Sequence, residues 1–144
     1  MQRVLVSACL LGVESRFDGG ARTSPPLIEK LRNECVIPVC PEQLGGLPTP
    51  REPASFQGGD GAAVLRGEGR VVTASGRDVT REFVKGAREV LKLARLFSVK
   101  KAYFKSKSPS CACGKVYFGE KLLPGVGVCT ALLQANGIEV VEVG

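Results

Sequence analysis

The chain is predicted to fold as one α/β domain over residues 1–144, with a mostly parallel, Rossmann-like sheet, helices on both faces and a small hairpin. Three observations lead there. Short apolar, β-branched runs alternate with stretches of helical period, the pattern of a wound parallel sheet. Hydrophobic residues make up 44% of the chain and charged ones 24%, an ordinary balance for a globular domain that excludes intrinsic disorder. No internal repeat, low-complexity tract or linker interrupts the 144 residues, and a chain of this length is most simply one domain.

RVLVS (Arg3–Ser7) reads as the first strand. A helix is expected at Ser24–Asn33, with Ser24 as cap, Pro25 in the first turn, and Leu27, Ile28 and Leu31 as its apolar stripe. CVIPV (Cys35–Val39) reads as a buried strand in which Pro38 must sit where no ladder donor is needed. The Gly- and Pro-rich stretch from Pro41 to Gly61 is too long for a plain connection and is expected to be an active-site loop. Ala62–Leu65 and Arg70–Thr73 are expected to pair as a hairpin around Arg66–Gly69. Val79–Phe97 gives the strongest helix, with Asp78 as N-cap and Phe83, Ala87, Val90, Leu91 and Ala94 on one face. Lys101–Lys105 and Lys115–Phe118 read as strands, Val126–Asn136 as a helix stopped by Gly137, and Ile138–Val143 as the closing strand.

The apolar run Val4–Val13 is broken by Ser7, is too short to span a membrane, and lacks the flanks of a secretory signal, so a cytoplasmic protein is expected. A net charge of +6 favours anionic partners only weakly, because the basic residues are spread along the chain. The absence of histidine says more. It removes Ser–His–Asp and Cys–His catalysis and every Cys/His zinc site, leaving acid–base work to Asp, Glu, Ser, Tyr, Lys or Cys.

Six cysteines in a reducing compartment point to metal binding or catalysis before disulfides. Cys35 and Cys129 lie in apolar segments and are expected to be buried small hydrophobes. Cys9, Cys40 and the pair Cys111/Cys113 instead follow the first, second and Lys101–Lys105 strands. Ligand sites of parallel sheets gather at the carboxyl ends of the strands, so these cysteines are expected to face one crevice. Three thiolates without histidine suit a soft centre, and an iron–sulfur cluster suits them best. A disulfide is a question of geometry that sequence leaves open.

The motifs VSACLLG (Val6–Gly12), RFDGG (Arg16–Gly20), PVCPEQLGGLPTPREP (Pro38–Pro53), DVTREFVKGA (Asp78–Ala87), KSKSPSC (Lys105–Cys111) and the closing GVGVCTALLQANGIEV resemble the 2-thiouracil desulfurases, in the same order and over nearly the whole chain. The resemblance implies an α/β fold and an oxygen-sensitive 4Fe–4S cluster held by Cys9, Cys40 and Cys111. It also implies that the iron without a protein ligand binds the sulfur of a thiolated pyrimidine, so that 2-thiouracil becomes uracil, C=S becoming C=O with release of sulfide and no net redox change. Glu42 and Ser108 match family positions near the substrate, where a carboxylate activates water or shuttles a proton and a hydroxyl orients the base or relays that proton. Asp18, Arg51 and Lys105 also match motif positions, where they contact substrate or brace loops, bracing being the reading preferred here.

One departure concerns the third cysteine loop. The family usually carries glycine directly after the SPSC cysteine, whereas Ala112 and Cys113 here precede Gly114, leaving Cys113 as spare thiol, ligand or sulfur carrier. Two other readings stand beside the desulfurase: a basic RNA-binding module, with tRNA as partner and cysteines that are structural or hold a metal, and a thiol redox protein using Cys111 and Cys113. Both monomer and homodimer are compatible with the sequence.

Overall fold

A computed structural model describes all residues, 1–144. Its main sheet has four parallel strands in the order β2-β1-β5-β8: β1 (Arg3–Ser7), β2 (Cys35–Val39), β5 (Lys101–Lys105) and β8 (Glu139–Val143). Three of these strands have the bounds expected from sequence, and β8 starts one residue later than expected. The central strand β1 alternates between two cores, as the two-residue period of a strand requires. Leu5 joins Ala102 and Phe104 in the larger core, against Phe83, Ala87 and Val90 of α4 (Thr80–Leu96) and Leu133 of α5 (Val128–Ala135). Val4, Val6 and Tyr103 point the other way, against Leu10, Leu27 and Leu31. Helices therefore cover both faces, as expected.

Local chemistry accounts for the helix starts. Ser24 caps α1 (Pro25–Lys30), its hydroxyl accepting from the Leu27 N–H, and the helix is shorter than expected. Asp78 does not cap α4: it accepts from the Thr80 N–H at 2.9 Å, and Val79 holds the cap position. Gly137, at φ 78°, follows the end of α5.

Three further expectations are corrected. Ala62–Leu65 is not a strand but part of α3 (Gly61–Leu65), because the Asp60 carboxylate caps it, accepting from the Ala62 and Ala63 N–H groups. The true partner of β4 (Arg70–Thr73) is β3 (Ala54–Gln57), which lies inside the stretch expected to be loop. That stretch also holds α2 (Pro41–Leu44), and a second hairpin joins β6 (Lys115–Phe118) to β7 (Lys121–Pro124). Cys35 is not buried either. It opens β2, an edge strand with only Val39 fully enclosed, and is exposed; the same edge position accommodates Pro38. Cys129 is buried as expected. No helix is long and apolar enough to cross a membrane.

Two backbone-to-backbone approaches lock the connections. A Cβ at Gly86 of α4 would land on the Pro41 carbonyl of α2, and one at Gly45 would land on the Glu82 carbonyl. Likewise a Cβ at Gly127 would strike the Ser110 carbonyl, and one at Gly61 would strike Gly127. Replacing Gly86 or Gly127 by alanine should therefore destabilise the fold by about 1–3 kcal/mol, the usual range for forced overpacking. Gly114→Ala, whose Cβ would meet only the Glu142 side chain at 3.5 Å, should stay within about 0.5 kcal/mol of the parent. Denaturant midpoints of the three variants distinguish these outcomes.

Candidate active site

The carboxyl end of the sheet carries three cysteine loops. Ser7 ends β1 and leads into a single 3-10 turn, Ala8–Leu11, that carries Cys9. Val39 ends β2, and Cys40 takes the cap position of α2. Beyond β5 the chain turns through Ser106–Ser110 to Cys111. In-register pairing of Ser7 with Val39 brings the first two loops together, and the Lys105 N–H donates to Ser7 Oγ at 3.0 Å, tying in the third.

The result is a cavity of about 520 Å³ lined by Cys9, Cys40 and Cys111 together with Glu42, Ser108, Arg51 and Lys105. Seven of the eight residues singled out from sequence thus meet in one place. Asp18 is the exception: it lies outside the cavity and braces Arg16, which does line it, through an ion pair of 3.2 Å. Cys113 is also outside. Its Sγ donates to the Val140 carbonyl at 3.6 Å, and its N–H and that of Gly114 donate to Glu142, so it packs toward β8.

Each loop residue has a definable task. Ser108 Oγ accepts from the Ser110 and Cys111 N–H groups, both at 3.1 Å, which folds the chain around Cys111 and leaves the hydroxyl hydrogen free to donate. Thr130, fully buried on α5, donates to the Cys111 carbonyl at 2.8 Å. Arg51 donates through Nη2 to the Ser15 carbonyl at 2.9 Å and approaches Cys40 Sγ at 3.9 Å. The same nitrogen lies 3.5 Å from Glu42 Oε2, in an ion pair whose side chains are only 6% and 15% exposed. Lys105 Nζ is held by Ser106, donating to its carbonyl and hydroxyl oxygens.

Burial dominates the electrostatics. It pushes the Glu42 carboxyl up, against the pull of Arg51. Burial also raises the Cys9, Cys40 and Cys111 thiols, Cys111 most clearly, while Lys105 and Arg16 draw Cys9 down and a Ser7 hydrogen bond draws Cys111 down. Lys105 is lowered by desolvation, partly offset by Cys9. Five basic side chains, Arg16, Arg22, Arg51, Lys105 and Lys107, line the cavity against the single acid Glu42. Sequence reading overlooked Ser7, Arg16, Arg22 and Lys107. Ser7, Arg16 and Lys107 each lie within a motif already recognised, Ser7 at the strand end, Arg16 two residues before Asp18 and Lys107 in KSKSPSC; no sequence signal marks Arg22.

The donor set fits an iron–sulfur centre. Three thiols from three loops surround a space, rather than converging on a point: no group of three His, Cys, Asp or Glu side chains is arranged to hold a single metal ion. Coordination deprotonates a thiol outright, and nearby cations compensate the resulting negative charge. In the metal-free protein the raised thiols of Cys111 and Cys129 stay protonated at neutral pH, inside the fold.

Fold and site together define a class: an α/β protein with a cysteine-lined, cationic pocket at the carboxyl edge of a parallel sheet. The model of the 2-thiouracil desulfurase family matches residues 4–143, and the chain belongs to that family. It is 40% identical over 142 residues to the uncharacterized protein YbbK of Bacillus subtilis (strain 168), covering 96% of this chain and 94% of the relative. Among solved structures it resembles the [4Fe-4S]-dependent thiouracil desulfidase TudS at 39% identity and a TM-score of 0.86, over 99% of this chain and 91% of TudS.

Iodoacetamide under anaerobic, reducing conditions should label Cys35 first in the metal-free protein, and Cys111 and Cys129 only after denaturation. Peptide mass spectrometry reads the order; early labelling of Cys111 would contradict its burial.

Proposed function

We propose that the protein is a [4Fe-4S]-dependent desulfidase that converts thiolated pyrimidine bases, such as 2-thiouracil, to their oxo forms. The observation that carries this reading is the meeting of Cys9, Cys40 and Cys111 with Glu42 and Ser108 on one cavity, in a chain without histidine. The similarity to TudS supports it. Cys9, Cys40 and Cys111 would hold the cluster. Bound there, such a cluster would supply Lewis-acid chemistry toward the substrate sulfur.

The chain's own residues supply the remainder. Glu42, held by Arg51, lines the cavity and takes a proton from water as the water oxygen attacks the thiocarbonyl carbon. Ser108 has committed its oxygen to two backbone N–H groups, so its hydrogen orients the pyrimidine ring. The basic lining offsets the thiolates and the leaving sulfide. The carbon–sulfur bond breaks, a carbon–oxygen bond forms, and both hydrogens of water leave with the sulfur as hydrogen sulfide, with no change in oxidation state.

Anaerobic reconstitution should yield a brown protein with roughly four irons per chain that releases sulfide from 2-thiouracil. A colourless, iron-free product would overturn the proposal. Cys111→Ala should lose both iron and activity, whereas Cys113→Ala should keep both. Glu42→Gln should retain iron but lower kcat by about 10²-fold or more, as loss of a positioned acid–base group does; an unchanged kcat would remove Glu42 from the mechanism.

A further inference from the structure

The 20 basic residues are spread along the sequence, yet the period of α4 gathers five of them into one line. Arg81, Lys85, Arg88, Lys92 and Arg95 recur at alternating steps of four and three. At 3.6 residues per turn that places them on one stripe about 80° wide and about 21 Å long. All five are exposed, and none lines the cysteine cavity. Lys92 pairs with Glu89 and Arg95 donates to Asn136, whereas the side chains of Arg81, Lys85 and Arg88 meet no partner within the chain. Glu82, the other acid of the helix, is drawn aside to Arg77.

Like charges three and four residues apart repel along a helix, so the line does not serve the stability of α4. Its chemistry narrows the partner. The apolar face of the helix, with Phe83, Ala87, Val90 and Leu91, is committed to the core, so no apolar face remains to enter a membrane surface. No aromatic side chain stands within the stripe, the exposed Leu96 and Phe97 lie beyond its last residue, and lysine is depleted from protein–protein interfaces. A row of exposed cations at steps of about 5–6 Å suits a chain of phosphates instead, where contacts are electrostatic, multiple and indifferent to sequence.

We infer that the outer face of α4 is a second binding surface, which holds the phosphodiester backbone of a nucleic acid through Arg81, Lys85, Arg88, Lys92 and Arg95. It is separate from the cysteine cavity and stands whether or not that cavity acts on a thiolated base.

Fluorescence anisotropy of the full chain with mixed-sequence single strands of RNA and DNA, about 20 nucleotides long, tests this. The logarithm of the binding constant should fall with that of salt at a slope of about −3.5, the value for five neutralised phosphates, so affinity drops about 10²-fold from about 50 to about 200 mM. Either strand binding in this way supports the surface, and a preference between them identifies the source of the backbone. Arg81→Gln/Lys85→Gln/Arg88→Gln should flatten the slope by about 2 and weaken binding at least about tenfold. Lys30→Gln/Lys115→Gln/Lys121→Gln removes the same charge from exposed positions elsewhere and should cost less than about threefold. These are exposed side chains, so both variants should keep the fold, which circular dichroism checks. Equal losses in the two variants would reduce the binding to net charge and overturn the surface. Absence of binding by the wild-type chain at about 50 mM salt would do the same, as would a loss confined to Arg22→Gln/Lys107→Gln in the cavity lining. Poly-glutamate competing as well as RNA at equal charge would make the partner an acidic protein and overturn the phosphate assignment.

Discussion

Everything at the carboxyl edge of the sheet depends on how closely backbone can approach backbone. The loop of Cys111 lies against Gly127, which lies against Gly61, and α2 lies against α4 where Gly45 and Gly86 face each other's carbonyls. No side chain separates these segments, so none of them can slide independently. The positions of Cys40 and Glu42 are thereby referred to the long helix α4, whose buried face rests on the sheet, and that of Cys111 to the start of α5. Asp60 adds a polar link to the same junction: one carboxylate oxygen caps α3, and the other accepts from Val126 just before α5. A constellation built on loops gains in this way the rigidity of the elements beneath it.

The second organising fact is charge. Burying three thiols, a carboxylate and several cations in one pocket is tolerable only because each meets its complement. Arg51 serves three at once: the Ser15 carbonyl, the Cys40 sulfur and the Glu42 carboxylate. Arg51 of the TPREP motif thus makes contacts that brace its loop, and Asp18 makes one to Arg16 from outside the pocket. Ser7 has a similar economy, linking the Lys105 backbone and the Cys111 sulfur from the end of the central strand.

Much of this was legible in the sequence because parallel strands announce themselves by composition. Arg3–Ser7, Cys35–Val39 and Lys101–Lys105 are compact β-branched or aromatic runs, and the rule that sites gather at strand ends then placed Cys9, Cys40 and Cys111 together. What stayed hidden depended on partners distant in sequence. β3 is one case, since ASFQ becomes a strand only beside Arg70–Thr73. Ala62–Leu65 is the exception, because its helix signal is local: alanine and leucine favour a helix and Asp60 just before them is a cap, and the hairpin expectation set that signal aside. Cys35 misled because an apolar run does not reveal whether its strand is central or at the edge. The pair Cys111/Cys113, separated in sequence by Ala112 alone, parts in space because the turn sends one side chain to the pocket and the other toward Val140.

The sheet order has a consequence for assembly in time. The three cysteine loops carry residues 9, 40 and 111, and they converge only when β1 has paired with both β2 and β5. Parallel pairings across such separations are among the slower events of folding, because a long loop must close before any contact rewards it. No fragment of the nascent chain that lacks β5 holds the full set of thiols. If Cys9, Cys40 and Cys111 hold the cluster proposed above, its insertion follows tertiary structure, and the folded chain is what receives it.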